Sequence, residues 1–124
     1  MSRWLVDGMN VIGSRPTGWW RDRPGAMRTL VEQLERFADG TGEAVTVVFD
    51  GKPFDLEGES VDVLFASRRG RDAADDDIAA IVQRDARPGE LSVVTSDGDL
   101  AARVHAAGAA VVGAGEFRRR LAGG

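Results

Sequence analysis

Residues 44–50 read Ala-Val-Thr-Val-Val-Phe-Asp (AVTVVFD), and the turn Gly51-Lys52-Pro53 follows them directly. Apart from Thr46, the segment has no polar residue before its terminal aspartate, so both of its faces require apolar surroundings. Strands that are apolar on both faces are typical of parallel sheets, which are covered by helices on either side. This segment therefore predicts a buried parallel β-sheet.

Other short apolar runs alternate with helical patterns on both sides of this segment. Strands are predicted at residues 3–7, 44–50, 61–65, 91–95 and 109–112. Helices are predicted from Pro24 to the stop signal at Gly40, and at residues 73–86, 98–107 and 116–121, with a loop at residues 8–25. Asp72 is predicted to cap the second helix. The alternation of strand and helix predicts one α/β domain over residues 1–124 with a mainly parallel sheet.

The composition limits the kinds of chemistry that are available. The 124-residue chain contains no cysteine and one histidine, His105. Disulfides, thiolate nucleophiles and multi-histidine metal sites are thereby excluded, so carboxylates, hydroxyls and arginines must carry any chemistry. No apolar run approaches the ~18–20 residues of a membrane span, and the first residues lack the pattern of a signal peptide. A cytoplasmic protein without a membrane partner is therefore expected.

Three of the predicted strands end in an aspartate. Leu5-Val6-Asp7, Val48-Phe49-Asp50 and Val94-Thr95-Ser96-Asp97 share this pattern, and Asp99 follows two residues later. The carboxyl ends of parallel strands share one edge of a sheet, where α/β proteins bind ligands, so these side chains are expected to converge. A single aspartate in such a place commonly forms a turn or caps the next helix, but three of them favour a shared site.

A further carboxylate is expected from the predicted helix at residues 73–86. Asp75, Asp76 and Asp77 stand near its start, where acids are also favoured on electrostatic grounds alone. The residues three, four and seven positions after Asp75 are all apolar, which places Asp75 over the stripe that faces the sheet. We therefore expect Asp75 to point inward and the other two acids to face solvent or the rim.

Converging carboxylates repel one another and require a cation. Oxygen ligands without histidine or cysteine suit a hard ion, Mg²⁺ or Mn²⁺. Such an ion uses few carboxylates and shares phosphate oxygens, a combination that suits hydrolysis of a phosphodiester. The residue pattern thus favours a metal-dependent enzyme that cleaves phosphodiester bonds.

Arginine and tryptophan residues supply a candidate nucleic-acid surface. The net charge of −4 disfavours a polyanionic partner, but arginines gather at residues 15–28, 68–71 and 118–120. The candidate nucleic-acid-binding residues are Arg15, Trp19, Trp20, Arg21, Arg23, Arg68 and Arg69. Tryptophan rings stack on unpaired bases and arginines hold phosphates, which favours a single strand but does not distinguish RNA from DNA. The alternative is that one ring packs in the core and the other is incidental.

The ordered motifs of the chain resemble those of a known family. VDGMN at residues 6–10, VVFDG at 47–51, ADDDI at 74–78 and VTSDGDL at 94–100 occur in this order. Together they are similar to the NYN domains of the PIN-like nuclease superfamily, in particular the YacP-like branch, over residues 3–121. The resemblance implies a three-layer α/β/α sandwich, a five-stranded sheet of order 3-2-1-4-5 and metal-dependent endoribonuclease activity.

The resemblance also implies roles for particular residues. The catalytic and metal-binding set would be Asp7, Asp75, Asp97 and Asp99, supported by Asn10, Asp50 and Ser96. From the residues alone, two interpretations of Asn10 stay open: it orients a phosphate or a metal-bound water, or it stabilises the turn in which it stands. Ser96 is open in the same way.

Other enzyme classes lack their signatures in this chain. A phosphatase of the haloacid dehalogenase type needs Asp-x-Asp after its first strand, where this chain has Asp7-Gly8-Met9. A receiver domain needs a lysine after its fifth strand, and the only lysine is Lys52. The phosphate-binding loop of nucleotide triphosphatases does not occur. The remaining alternative is a PIN-like module that binds RNA or a partner protein without cutting.

Overall fold

The computed structural model describes residues 2–68, 70 and 72–123. The strands are β1 (Arg3–Asp7), β2 (Ala44–Phe49), β3 (Val61–Phe65), β4 (Leu91–Val94) and β5 (Ala110–Val112). The helices are α1 (Gly8–Ile12), α2 (Arg23–Thr41), α3 (Ala73–Arg84), α4 (Gly98–Ala106) and α5 (Ala114–Gly123), with short 3₁₀ helices at Trp19–Arg21 and Pro88–Glu90. Within the described residues, none of these helices has the length and apolar character needed to cross a membrane.

The five strands form one sheet of order β3-β2-β1-β4-β5, in which every neighbouring pair is parallel. The central strand β1 pairs through Val6 with Val47 of β2 on one side and with Val94 of β4 on the other. The chain therefore starts in the middle of the sheet, moves out to β3 and returns past β1 to β4. The predicted α/β fold, parallel sheet and strand order are confirmed.

Helices cover both faces of the sheet because alternate residues of β1 enter two separate cores. Trp4 and Val6 pack in one core with α1, α2 and α5, which contribute fully buried residues such as Leu34 and Phe117. Leu5 packs in the other core with α3 and α4. This arrangement confirms the three-layer α/β/α sandwich and leaves the carboxyl ends of the strands as the place for a site.

The structure differs from the prediction immediately after β1. Residues 8–12 form the helix α1, whereas the whole segment 8–25 is predicted to be a loop. A helix of five residues is too short to show a full apolar period, so the sequence pattern does not reveal it. Val11 and Ile12 are buried in the core, and this packing holds α1 in place.

Several helix ends also differ from the prediction by one or two residues, and specific contacts explain two of them. α3 ends at Arg84 because Asp85 leaves the helix to pair with Arg3, whose Nη1 and Nη2 donate to the carboxylate at 2.7 and 2.9 Å. The hydrogen bonds from Arg3 lower the pKa of Asp85 to about 2. α5 begins at Ala114, two residues earlier than expected, because the Ala114 N–H donates to Ser96 Oγ at 2.8 Å.

Gly8 is expected to tolerate no side chain. A Cβ atom at this position would lie 2.5 Å from two ring atoms of Phe49 and 3.0 Å from Val47 Cγ2. Since Phe49 is fully buried, Gly8→Ala is expected to lower the free energy of unfolding by about 1–3 kcal/mol.

Urea denaturation measures this effect, with Gly40→Ala as the control. Gly40 stands in α2, and nothing lies within 4 Å of a Cβ built there. Alanine at this position is expected to be neutral or stabilising by up to about 1 kcal/mol. Equal stabilities of the two variants would contradict the packing constraint at Gly8.

Candidate functional site

A cleft of about 270 Å³, here called the acid cleft, opens at the carboxyl ends of the central strands. It is lined by Asp7, Met9, Asn10, Asp50, Asp72, Ala74, Asp75 and Asp97. In the described part of the chain this lining includes no lysine or arginine. The structure thus brings together four of the acids singled out in the sequence and adds Asp72 to them.

Asp7 is the buried carboxylate of the acid cleft, with 5% of its surface exposed. Burial raises its pKa to about 7, and the negative charges of Asp75 and Asp50 act in the same direction. A hydrogen bond of 3.0 Å from Thr95 Oγ1 to Asp7 Oδ2 and the backbone of Asn10 oppose this increase. Without a bound cation, Asp7 is therefore only partly ionised at neutral pH.

Asp75 lines the acid cleft from the first turn of α3, as its helical spacing predicts. Its pKa is raised to about 6, chiefly by burial and then by the charges of Asp97 and Asp72. The positive charge of Arg103 opposes this shift. Two carboxylates of one cleft thus resist ionisation because each is partly or fully buried beside other acids, a pattern that is enriched at functional sites.

The next two acids of α3 make contacts outside the acid cleft. Asp76 forms ion pairs with Arg68 and with Arg103, whose Nη1 lies 2.9 Å from Asp76 Oδ1. The hydrogen bond from Arg103 is the main reason that the pKa of Asp76 is lowered. Asp77 accepts hydrogen bonds from the backbone and the hydroxyl of Ser67. Both acids hold the segment after β3 against α3 rather than facing inward.

Asp72 does not cap α3 as predicted. It stands at the N-cap position, but its backbone has φ 67 and its side chain makes no capping hydrogen bond. In this left-handed conformation, which differs from the extended backbone typical of an N-cap residue, the carboxylate stays off the helix amides. Asp72 lines the acid cleft instead and adds to its negative charge.

Asp97 and Asp99 both lie at the start of α4 but occupy different places. Asp97 Oδ1 accepts from the Leu100 N–H at 3.0 Å, so this carboxylate caps α4 while it lines the acid cleft. Asp99 is exposed and lines a smaller recess of about 170 Å³, together with Arg103. The recess shares Asp72, Asp75 and Asp97 with the acid cleft. Asp97 therefore lines both, while Asp99 lines only the recess.

Asp50 lies at another wall of the acid cleft, where it forms an ion pair with Arg23. Arg23 Nη2 also donates to the backbone carbonyl of Asp50 at 3.2 Å. Arg23, one of the arginines predicted to bind RNA, is therefore paired with a carboxylate of the acid cleft. Within the described residues, no ion pair forms with the inner acids Asp7, Asp75 and Asp97.

Asn10 and Ser96 connect the elements around the acid cleft. The Ser96 N–H donates to Asn10 Oδ1 at 2.8 Å, which ties the turn after β4 to α1. The hydroxyl of Ser96 is the group that accepts from the start of α5. Asn10 lines the acid cleft and Ser96 stands beside it, so both have structural partners in addition to the supporting role that the sequence suggests.

Thr95 is a site residue that is absent from the set predicted from the sequence. It is 1% exposed, and its Oγ1 donates to Asp7 Oδ2 and accepts from the Asp97 N–H at 3.1 Å. One hydroxyl thereby links the carboxylate of one predicted ligand to the backbone of another. The signal in the sequence is a hydroxyl residue at the carboxyl end of a mainly apolar strand, directly before Ser96-Asp97.

Thr95→Val is expected to destabilise the protein by about 1–3 kcal/mol, because Asp7 loses a donor and the Asp97 N–H loses its acceptor. Thr95→Ser keeps the hydroxyl and is expected to lose only the packing of one methyl, ~1 kcal/mol. Chemical denaturation at neutral pH compares the two variants. If valine were tolerated as well as serine, the hydroxyl would have no linking role.

The two tryptophans predicted to bind RNA differ in exposure. Trp19 is partly buried and packs against the core that contains α2. Trp20 is 57% exposed, and the two ring centroids lie 5.9 Å apart in an edge-to-face arrangement. Trp20 therefore presents the free aromatic surface, while Trp19 is also part of the packed structure.

The arginines predicted to bind RNA fall into two groups. Arg15 and Arg21 are exposed and form no ion pair among the described residues. Arg23 and Arg68 are engaged with acids at the margins of the acid cleft. Arg69 lies outside the described residues.

The chemistry of the acid cleft fits a hard divalent cation. Its charged donors are carboxylates, and burial and neighbouring acids raise the pKa values of Asp7 and Asp75 more than the nearby donors and Arg103 lower them. Among the described residues, no group of three or more histidine, cysteine, aspartate or glutamate side chains is arranged to hold a metal ion. A cation would therefore bind partly through water or draw the carboxylates closer together.

Known proteins resemble this chain in both sequence and fold. The sequence model of the YacP-like NYN domain matches residues 4–123. Two crystal structures of Rae1 (YacP) from Bacillus subtilis, one of them of a mutant, are each 27% identical to this chain. They match with TM-scores of 0.83 and 0.80 over 99% of this chain and over 76% and 75% of theirs. A comparison with curated protein sequences finds no significant match.

Proposed function

Because the chain belongs to the YacP-like NYN domain family, which has a nuclease-type fold, we propose that it is a metal-dependent endoribonuclease. The observation that carries this proposal is the acid cleft, where Asp7 and Asp75 have raised pKa values and no basic residue lines the wall among the residues described. Such a cleft repels a phosphodiester unless a cation neutralises it. The proposed cofactor is Mg²⁺ or Mn²⁺.

Asp7, Asp75 and Asp97 would hold the ion, with Asp99 and Asp50 contributing from the margins of the acid cleft. When bound, such an ion lowers the pKa of a coordinated water and stabilises the charge that develops on the phosphate. With water as the attacking group and the 3′-oxygen as the leaving group, the proposed products carry 5′-phosphate and 3′-hydroxyl ends.

The residues of the chain prepare the acid cleft for this role. Thr95 orients the carboxylate of Asp7, and the cap on α4 orients that of Asp97. The raised pKa values mean that Asp7 and Asp75 release protons when a cation binds. Cation affinity is therefore expected to rise with pH up to slightly above neutral.

Single-stranded RNA is the proposed substrate, met in the cytoplasm. The exposed ring of Trp20 offers a stacking surface for an unpaired base. Arg15 and Arg21 offer exposed positive charges in the same segment of the chain. A paired duplex would leave no free base face for the ring, which favours a single strand.

A cleavage assay tests the proposal. End-labelled single-stranded RNA is incubated with the protein in Mg²⁺, in Mn²⁺ and in chelator, and the fragments are separated by size. Internal cleavage that requires the divalent ion and leaves 5′-phosphate ends is the expected result. RNA that stays intact under all three conditions would overturn the proposal.

A module that binds RNA or a partner protein without cutting is the second candidate. One observation favours it: no three acids of the described residues are arranged to hold a metal ion. The same assay separates the candidates when RNA binding is measured in parallel. Binding without ion-dependent cleavage would favour the non-catalytic module.

A further inference from the structure

A pocket of about 360 Å³ lies beyond the end of α1 that is remote from the acid cleft. It is lined by Ser14, Arg15, Gly115, Arg118, Arg119 and Ala122, and is here called the basic pocket. Each charged residue of this lining is an arginine. The basic pocket is therefore the electrostatic opposite of the acid cleft.

The three arginines of the basic pocket are not compensated by acids. Within the described residues, none of them takes part in an ion pair. Burial, followed by the charge of Arg15, lowers the pKa of Arg118. Like charges that are held together without counter-charges attract an anion.

Arg118 is fixed in a position that leaves most of its donors free. Its Nη1 donates to the carbonyl oxygen of Val11 at 2.9 Å and to that of Ile12 at 3.4 Å. The other two nitrogen atoms of the guanidinium group have no partner in the described part of the chain. A planar guanidinium group with free N–H donors is suited to phosphate oxygens.

α1 connects the basic pocket to the acid cleft. Met9 and Asn10, near its start, line the acid cleft, while Ser14 and Arg15, just after its end, line the basic pocket. A helix of five residues is about 7.5 Å long. A nucleic-acid strand seated in the acid cleft and running along α1 would therefore reach the basic pocket within a few nucleotides.

We propose that the basic pocket binds a backbone phosphate of the RNA strand whose scissile bond lies in the acid cleft. This inference rests on the proposed function, because it takes RNA as the substrate. Arg118 also lines an adjoining cleft of about 370 Å³ that contains Trp19. A phosphate held by the arginines thus has an aromatic side chain beside it for the neighbouring base.

Binding measured without cleavage tests the basic pocket. Labelled single-stranded RNA is titrated with protein in Ca²⁺, a hard cation that neutralises the acid cleft in place of the proposed cofactor. Fluorescence anisotropy is recorded between about 50 and 200 mM salt, and gel electrophoresis checks that the RNA stays intact. The test variant is Arg15→Ala combined with Arg119→Ala; Arg118 stays unchanged because it holds the end of α1. Arg84→Ala is the control, since Arg84 is an exposed arginine in the last turn of α3, on the other face of the sheet.

The double variant is expected to bind RNA on the order of tenfold more weakly. Its logarithmic salt dependence should be flatter by about 0.7 for each phosphate contact that is lost. The control should match the wild type in both measurements. Circular dichroism checks the fold of the double variant. Arg15→Lys combined with Arg119→Lys keeps both charges and is expected to retain most of the wild-type salt dependence.

The outcomes separate this inference from the proposed function. If the double variant kept the affinity and salt dependence of the wild type, the basic pocket would not bind the RNA backbone, even if the protein cuts RNA. RNA that is bound through these arginines but never cut would support the basic pocket and overturn the nuclease. A wild-type protein that binds no RNA would overturn both.

Discussion

Asp75→Asn is expected to reduce RNA cleavage by on the order of a hundredfold or more while the fold is retained. The Asp75 side chain lines the acid cleft and makes no hydrogen bond within the described residues, so it acts there mainly through its charge. An amide is a poorer ligand for Mg²⁺ than a carboxylate. Initial rates on labelled RNA, measured over a range of Mg²⁺ concentrations, give the size of the loss and show whether more Mg²⁺ restores part of it.

Asp62→Asn is the matched control for this experiment. Asp62 is an exposed aspartate of β3 and lies outside the acid cleft. Its replacement removes the same charge and is expected to leave the cleavage rate unchanged. A wild-type rate in Asp75→Asn would place the reaction elsewhere, and equal losses in both variants would indicate an effect of total charge rather than of the acid cleft.

Most of the fold can be predicted from the sequence because a parallel sheet needs strands that are buried on both faces. Val47, Val48 and Phe49 are fully buried on consecutive positions, and such runs are visible in the sequence. The helices between them show apolar residues at helical spacing, as with Ile78 and Val82 of α3. Strand and helix then alternate in a way that leaves few topologies.

The short helix α1 and the start of α5 could not be predicted in the same way. Their positions depend on contacts between residues that are far apart in the chain. Ser96 and Ala114, which meet at the start of α5, are 18 residues apart. No local pattern records such a contact, so local propensity places the element end at a different residue.

The candidate site, like the fold, could be predicted only in part from the sequence. The convergence of Asp7, Asp50 and Asp97 follows from the topology, and the inward position of Asp75 follows from helical spacing. The ion pairs at the margins do not follow from either. Arg23 and Asp50 are 27 residues apart, and this partnership depends on how α2 packs beside the sheet.

The metal-free protein is expected to lose stability as the pH rises from 5 to 8. The pKa of Asp7 in the fold is about 7, against 3.8 for an ordinary carboxyl, so the folded state holds this proton more tightly than the unfolded chain. The resulting stabilisation is complete below about pH 4 and is lost as the pH passes 7, with a total of up to about 4 kcal/mol. Asp75, with a pKa of about 6, acts in the same direction. Asp85, with a pKa of about 2, acts oppositely, but only below the pH range measured.

Asp7→Asn isolates the contribution of the buried carboxylate. The amide does not ionise between pH 5 and 8, and its oxygen can still accept a hydrogen bond from the Thr95 hydroxyl. The pH dependence of stability should therefore flatten, and the variant should be more stable than the wild type at pH 8 in chelator.

Mg²⁺ binds the folded state and should stabilise the wild type, by about 2.7 kcal/mol at a hundred times its Kd, but stabilise the variant less. The two melting temperatures should therefore approach each other as Mg²⁺ is added. Thermal unfolding followed by circular dichroism at pH 5, 6.5 and 8, with chelator or Mg²⁺, measures both effects. If the unfolding curves of the two proteins shifted equally with pH and with Mg²⁺, Asp7 would neither ionise unfavourably in the folded state nor contact a cation.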